Sequence, residues 1–252
     1  MRITYLGTGA DDWLPGEVSA AGEYRRRTAA TVDGVLQIDL AATTPLEGLG
    51  EVREVLYTHS HRDHFDAETL RTLAVGRELT VYLATDFARR LAACMPENVH
   101  AVGLAPGNTV VTPLGYRVTA LRANHVVGDH RAEQPLHYII EKDGRRLYWG
   151  TDGAWIAPDA WDALRAARPF DRMILDGTLG DGIGDTRIFT HNNLRMVREL
   201  AATFRRAGLL KPNGQIYMTH VSRDSQYPTE ELDARLAADG IRAAHDDEED
   251  EF

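Results

Sequence analysis

The chain has 252 residues, a formal net charge of −10 at neutral pH and a hydrophobic fraction of 43%. These values are typical of a globular protein and exclude a disordered, collagen-like or membrane-embedded chain. Because nucleic-acid binding needs clustered Lys and Arg, the acidic balance argues against a large nucleic-acid interface. We interpret residues 1–252 as a single domain.

Cys94 is the only cysteine in the sequence, so neither an intramolecular disulfide nor a cysteine-rich zinc site can form within the chain. We expect Cys94 to pack as a small apolar residue. The N-terminus lacks a basic segment followed by an apolar one, and no run of about 18 apolar residues occurs. The sequence therefore predicts a cytoplasmic protein without an export signal or a membrane span.

The first predicted strand, Arg2 to Leu6, is followed by Gly7-Thr8-Gly9, which could approach a bound group closely because glycine has no side chain. Neither a third glycine nor an immediate helix follows. The dinucleotide-binding fingerprint is therefore incomplete, which argues against a Rossmann domain.

Two Asp-Gly pairs, Asp33-Gly34 and Asp143-Gly144, each separate two β-rich runs and predict hairpins. Strands are predicted at Thr28 to Asp33, Val35 to Asp39, Val52 to Tyr57, Thr80 to Leu83, Tyr116 to Leu121, Tyr138 to Glu141, Arg146 to Trp149, Arg172 to Leu175 and Gln215 to Met218. Helices are predicted at Asp66 to Ala74, Pro158 to Ala167, Asn193 to Arg206 and Thr229 to Ala238. This order suggests an α/β fold of two packed sheets with helices outside.

Two charged runs have alternative interpretations. Arg25 to Arg27 could bind a phosphate, but basic residues beside a strand more often protect a solvated sheet edge, and we favour that interpretation. The acidic segment His245 to Phe252 is interpreted as a solvated tail.

The segment Thr58-His59-Ser60-His61-Arg62-Asp63-His64 lies between an apolar strand and a helix that Asp66 is expected to cap. In an extended chain alternate residues share a face, so His59 and His61 can point at one ion. As the chain turns into the helix, Asp63 and His64 can converge on a second ion. Imidazoles with a carboxylate suit Zn, Mn, Fe or Ni.

Three more candidate ligands follow predicted apolar strands: His125, Asp152 and His220. For any one of them alone, a hydrogen-bonded loop residue is the better interpretation. Together with the histidine motif they favour a metal centre.

The pattern His-x-His-x-Asp-His, followed by a His, an Asp and a His that each come after a strand, resembles the metallo-β-lactamase superfamily. Leu6-Gly7-Thr8-Gly9 and Arg27-Thr28 are similar to the first two strands of its phosphodiesterase-like branch. The resemblance implies a four-layer αββα sandwich with the site at one edge of the two sheets. It also suggests a homodimer.

The same resemblance implies which residues would bind two divalent ions, with Zn or Mn favoured. His59, His61 and His125 would hold one ion, Asp63, His64 and His220 the other, and Asp152 would bridge them. Asp63 would also serve catalysis, and the paired ions would activate the attacking water.

Thr190-His191-Asn192-Asn193-Leu194 is similar to the His-Asn-x-Leu segment of the cyclic phosphodiesterases associated with carbon-phosphorus lyase, whose histidine lies in the active site. His191 is therefore a candidate general acid or phosphate-oxygen donor; the alternative is an ordinary residue at a helix start. Unlike those enzymes, this chain cannot build their extra cysteine-rich zinc site. His130 and His137 are expected to be structural or to support the ligands.

We predict a dinuclear hydrolase, and we favour a phosphodiesterase for a small or cyclic anionic phosphate ester. One alternative is an endonuclease that processes RNA 3′ ends, although the long basic arm usual in the transfer-RNA enzymes is missing. Lactone or thioester hydrolysis is also compatible with such a centre, since a fold does not fix a substrate. The remaining alternative is a non-catalytic metal-binding protein.

Overall fold

The computed structural model describes residues 1–252 as two seven-stranded sheets flanked by five α-helices. Sheet one has the strand order β14-β1-β2-β3-β4-β5-β6 and sheet two the order β13-β12-β11-β10-β9-β8-β7. The strands are β1 Arg2–Gly7, β2 Ala29–Val32, β3 Leu36–Ile38, β4 Glu54–Leu56, β5 Leu79–Ala84, β6 Val99–Leu104, β7 Thr109–Val111, β8 Arg117–Arg122, β9 Leu136–Lys142, β10 Arg145–Gly150, β11 Phe170–Asp176, β12 Leu210–Thr219, β13 Ile241–Ala243 and β14 Glu249–Glu251. The α-helices are α1 Ala67–Leu73, α2 Thr85–Ala92, α3 Pro158–Ala167, α4 Leu194–Arg206 and α5 Thr229–Ala237.

Both faces of sheet two are buried, and successive side chains along a strand enter the cores on opposite faces. In β10, Leu147 and Trp149 join the core between the sheets, whereas Tyr148 joins the core beneath the helices α3 to α5. Helix α2 packs on the outer side of sheet one against β5 and β6. The layers are therefore helix, sheet, sheet and helix, which confirms the predicted αββα sandwich.

Both predicted hairpins are confirmed. Asp33 and Gly34 have φ values of 53° and 71°, and Asp143 and Gly144 have φ values of 49° and 75°. Two consecutive left-handed residues form the turn whose twist matches that of paired antiparallel strands, and Asp-Gly is suited to it.

The helix starts follow the predicted capping chemistry. The Asp66 carboxylate accepts a hydrogen bond from the Thr69 amide at 2.8 Å, and the Asn193 side chain accepts one from the Met196 amide at 2.9 Å. Helix α2 and strands β6, β7 and β13 were not predicted. Helix α2 has no side-chain cap at its start, and strands β7 and β13 have only three residues each.

The interpretation of the C-terminal segment as a solvated tail is wrong. Residues 249–251 form β14, which pairs antiparallel with β1. Asp250 forms an ion pair with Arg172 of β11, and the Arg172 guanidinium lies 4.7 Å from the centre of the Phe252 ring. A cation from the other sheet thus pairs with one carboxylate of the acidic strand and helps to hold it at the sheet edge.

The interpretation of Arg25 to Arg27 as solvated edge protection is also wrong, because Arg25 and Arg27 are buried. The Arg25 guanidinium donates to the Thr8 hydroxyl at 2.8 Å and to the Ala244 carbonyl at 3.1 Å. That of Arg27 donates to Asp11 at 3.0 Å. These side chains bind the protein's own loops, because burial obliges each guanidinium to find internal acceptors.

One further expectation is corrected: Cys94 is exposed at the end of α2 and does not pack as a core residue. Gly7 and Gly9 lie in close approach to other parts of the protein. A Cβ on Gly7 would lie 2.1 Å from the Arg27 carbonyl oxygen, and one on Gly9 would lie 2.5 Å from the Trp13 ring.

None of the helices combines the length and the apolar composition that a bilayer crossing would require.

We predict that Gly7→Ala lowers the free energy of unfolding by about 1–3 kcal/mol, because the new methyl group would overlap a backbone carbonyl that cannot rotate away. Gly50→Ala is the matched control, since its Cβ would meet nothing within 4 Å and its φ is not positive. Urea unfolding of both variants measures the difference. Equal stabilities of the two variants would contradict the close approach seen at Gly7.

Candidate metal centre

The candidate ligands come together because the strands that precede them run in one direction. Strands β10, β11 and β12 are parallel neighbours, and β8 is parallel to β10 because both are antiparallel to β9. Their carboxyl ends therefore meet at one edge of sheet two. His125 follows β8, Asp152 follows β10 and His220 follows β12.

The histidine motif reaches the same edge from sheet one. It follows β4 and ends where Asp66 caps α1. The backbone is left-handed at Asp152 and at His220, with φ values of 54° and 62°. Such φ values are uncommon outside glycine and are concentrated at functional sites, where the surrounding structure holds them.

The first ligand group consists of three imidazoles. His59 Nε2 lies 2.8 Å from His61 Nδ1, which in turn lies 3.2 Å from His125 Nε2. Three ring nitrogens that converge in this way offer lone pairs to one cation.

The second ligand group contains Asp63, His64, Asp152 and His220, all of them buried. His64 Nε2 and His220 Nε2 are 3.3 Å apart, and each is also 3.3 Å from Asp63 Oδ2. Asp152 Oδ2 contacts His64, lies 3.2 Å from His220 Nε2 and lies 3.8 Å from His59 Nε2 of the first group. Asp152 thus stands between the two groups.

The Asp152 carboxylate provides a test of whether metal ions fit this site. Its Oδ2 atom is buried and has no hydrogen bond, although imidazole nitrogens surround it. A buried carboxylate oxygen without a hydrogen bond is costly unless a cation compensates it. The donor set of imidazoles and carboxylates suits divalent transition metals, so the residues fit such ions.

The family model described as "Beta-lactamase superfamily domain" matches residues 30–221, which include the motif and all three downstream ligand candidates. The chain belongs to the metallo-β-lactamase superfamily. No curated protein matches it.

Several solved structures share this metallo-β-lactamase fold at low sequence identity. Zinc-bound PqqB from Methylobacterium extorquens has a TM-score of 0.77 at 19% identity, with 100% of both chains covered. A diphosphatase from the PhnP family has a TM-score of 0.75 at 23% identity, covering 100% of this chain and 98% of its own. The short form of human tRNase Z has a TM-score of 0.70 at 18% identity, covering 100% of this chain and 99% of its own.

Hydrogen-bond partners behind the candidate ligands of this metallo-β-lactamase fold hold most of the imidazoles. His64 Nδ1 donates to Asp39 Oδ2 at 2.7 Å. For three of the other four rings, Nδ1 lies within hydrogen-bond reach of an oxygen: Thr58 Oγ1 at 3.0 Å from His59, the Thr190 carbonyl at 3.1 Å from His125 and Thr178 Oγ1 at 2.7 Å from His220. Such contacts fix the orientation of each ring and leave the other nitrogen for a metal.

His191 lies beside the second ligand group. Its Nδ1 is 3.1 Å from Asp176 Oδ2 and 3.2 Å from Asp152 Oδ1. Its ring stacks on that of His220 at 5.6 Å between centroids and 8° between planes. The Asp176 carboxylate also accepts the Asn192 amide at 2.8 Å, which fixes the loop that carries His191.

His130 and His137 have different surroundings. His137 is buried behind the site, with Nδ1 2.9 Å from the Tyr148 hydroxyl and Nε2 3.4 Å from the Asp152 carbonyl. It thus supports the backbone at Asp152. His130 is exposed on the loop after His125 and lines the cavity in front of the ligands.

The sequence reasoning missed Asp39 and Asp176, which hold the rings of His64 and His191. Asp176 is the last residue of the buried strand β11, so it carries the same signal that singled out Asp152. Asp39 was placed inside a predicted strand, and its φ of 52° turns it out of that strand.

The charges in the site divide the histidines into two classes. Burial lowers the pKa of His59, and it lowers that of His125 to about 4. Burial also acts to lower the pKa of His220, but Asp152, Asp176 and Asp63 more than offset it and raise that pKa to about 10. The pKa of His64 is likewise raised, by Asp152, Asp63 and Asp39 against the effect of burial.

We predict that metal uptake at pH 8 releases at least one proton per chain. His220 is protonated below its pKa of about 10 in the metal-free protein, and an imidazole must be neutral to bind a metal. Calorimetric titration with Zn²⁺ in buffers of different ionisation enthalpy measures the released protons.

His220→Ala should release about one proton fewer. His130→Ala is the control, because His130 lines the cavity without joining either ligand group. A release that is the same in wild type and His220→Ala would show that His220 does not exchange its proton for a metal.

Proposed function

We propose that this hydrolase is a dinuclear metal-dependent phosphodiesterase that acts on a small or cyclic phosphate ester. The observation that carries the proposal is the position of His191, an imidazole that lies against the second ligand group and lines the same cavity. Hydrolysis of an alkyl phosphodiester needs a proton for the leaving oxygen, and a positioned histidine is the commonest donor.

Two ions would fit the ligand groups, one at His59, His61 and His125 and the other at Asp63, His64 and His220, with Asp152 shared. Such ions would supply an activated water and would stabilise the charge on the attacking and leaving oxygens. We propose Zn or Mn, because the ligands are imidazoles and carboxylates. Asp63 is assigned a catalytic role because its carboxylate lines the cavity as well as contacting His64 and His220.

His191 is prepared for proton donation by its contacts. Burial acts to lower its pKa, but Asp176 and Asp152 overcome that effect and raise it. Nδ1 faces Asp176, so Nε2 is the ring atom left for a substrate oxygen. Asp176 is therefore a positioning residue for His191.

The size of the cavity favours a small substrate. Its volume is about 720 Å³, and polar residues form most of its wall. Cavities of roughly 300–1,000 Å³ accommodate small molecules. The similar fold of the diphosphatase from the PhnP family supports chemistry at a phosphate.

The charges at the cavity argue against a polyanionic substrate such as RNA. Asp11, Asp12 and Asp129 contribute carboxylates to its wall. Its two arginines are already paired, Arg62 with Asp11 at 2.8 Å and Arg187 with Asp185 at 2.6 Å. Neutralising a nucleic-acid backbone requires free cationic side chains, which this wall does not offer.

We predict that His191→Ala lowers turnover of an alkyl phosphodiester by about a hundredfold to ten-thousandfold, the range that a positioned acid contributes. A p-nitrophenyl ester should lose less, because its leaving group needs little protonation. Steady-state rates with both substrates test this, and metal analysis should find the variant's ion content unchanged.

Equal losses on the two substrates would indicate phosphate binding or orientation by His191 in place of acid catalysis. Wild-type rates on both would contradict the proposal. Parallel assays of metal-loaded wild type with a lactone, a thioester and a transfer-RNA precursor separate the competing hydrolases, because each alternative requires turnover of its own substrate.

A further inference from the structure

A buried carboxylate outside both ligand groups accepts hydrogen bonds from the histidine motif. The Glu133 side chain is fully buried. Its Oε1 accepts the Ser60 backbone amide at 2.8 Å, and its Oε2 accepts the Ser60 hydroxyl at 2.6 Å. The Glu133 carboxylate thus accepts hydrogen bonds from both the backbone amide and the hydroxyl of Ser60.

The position of Ser60 in the chain makes this contact informative. Ser60 lies between His59 and His61, the two ligand candidates that share an ion with His125. Glu133 belongs to the loop that begins after His125 and ends at β9. The Glu133 to Ser60 contact therefore joins the two segments of chain that supply the first ligand group.

The direction of the His61 ring depends on its backbone more than the directions of the other two rings of this group do. His59 and His125 each have Nδ1 within hydrogen-bond reach of an oxygen outside the group, at 3.0 and 3.1 Å. The His61 ring contacts only His59 and His125 through its nitrogens. Its direction is consequently set by the backbone next to Ser60.

Arg90 compensates the buried charge of Glu133. Its guanidinium forms an ion pair with Oε2 and donates to the Ser60 hydroxyl at 3.2 Å. The guanidinium lies 5.2 Å from the centre of the Phe87 ring, which packs against Tyr57 and Phe65 on either side of the histidine motif. The cation is therefore held in place by the same core that supports the motif.

We propose that Glu133 is a positioning residue for the metal site formed by His59, His61 and His125. By holding the Ser60 amide and closing the loop after His125, it fixes the separation of the three imidazoles. Loss of this contact weakens that site and leaves the site of Asp63, His64 and His220 intact. The inference rests on the metal binding assumed in the proposed function, but not on the identity of the substrate.

The test measures Zn²⁺ affinity of the full chain by competition with a chromophoric chelator. Glu133→Gln has nearly the same shape as the native side chain but lacks the charge, and we expect a loss of about 10–100-fold in the affinity of one of the two sites, the usual effect of removing a partner behind a ligand. Glu78→Gln is the control, because Glu78 is an exposed carboxylate paired with His100 at the surface.

Two ligand variants identify the affected site. In an Asp63→Ala background, which retains the first group, Glu133→Gln should cost the same factor as in wild type. In a His61→Ala background, which retains the second group, it should cost nothing. Residues that act on one site are non-additive in this way, whereas independent residues add.

Equal losses in both backgrounds, or an unchanged affinity, would overturn the proposal. Arg90→Gln provides a second route if Glu133→Gln does not fold: it leaves the carboxylate without its cation and should reproduce the loss with the same dependence on background. A wild-type chain that binds no Zn²⁺ would overturn both this inference and the proposed function. Two bound ions without phosphodiester turnover would overturn the proposed function alone.

Discussion

The burial of four carboxylates at one edge of the sandwich is the constraint on which the rest of the site depends. Asp39, Asp63, Asp152 and Asp176 are all almost inaccessible to solvent. A buried carboxylate without a partner costs several kcal/mol, so each needs a positive or hydrogen-bonding neighbour. Imidazoles provide such neighbours for all four, and those of His64 and His220 crowd around the one oxygen of Asp152 that has no hydrogen bond. Two divalent ions would compensate this buried negative charge directly.

The direction of the strands brings the candidate ligands to one place, independently of any contact between the ligands themselves. Strands β8, β10, β11 and β12 end at the same edge, and the chain after each of them brings a carboxylate or an imidazole there. The left-handed backbone at Asp152 and His220 costs about 1–3 kcal/mol for each residue. Such strain persists only where the surrounding structure holds it in place, and the strands that pair with β10 and β12 on both sides meet that condition. The stability of the core thus maintains a site that is unfavourable by itself.

The sequence predicted the ligand candidates because the histidine motif and the three downstream candidates each follow a run of strand residues, and the spacing of the motif fixes which side chains share a face. Asp39 could not be found in this way, since a positive φ takes it out of its strand. The role of Glu133 was not predicted because its partner is a backbone amide 73 residues away, and no local pattern encodes that contact. The acidic C-terminal strand was mistaken for a tail because its neutralising partner, Arg172, lies on the other sheet.

Anomalous diffraction from crystals of the Zn²⁺-loaded protein tests the central claim most directly. We expect two peaks about 3.5–4 Å apart, the usual separation in two-metal sites. One should lie against His59, His61 and His125, the other against Asp63, His64 and His220, with the Asp152 carboxylate between them. A single peak, or peaks located away from Asp152, would contradict a dinuclear centre at this edge of the sandwich.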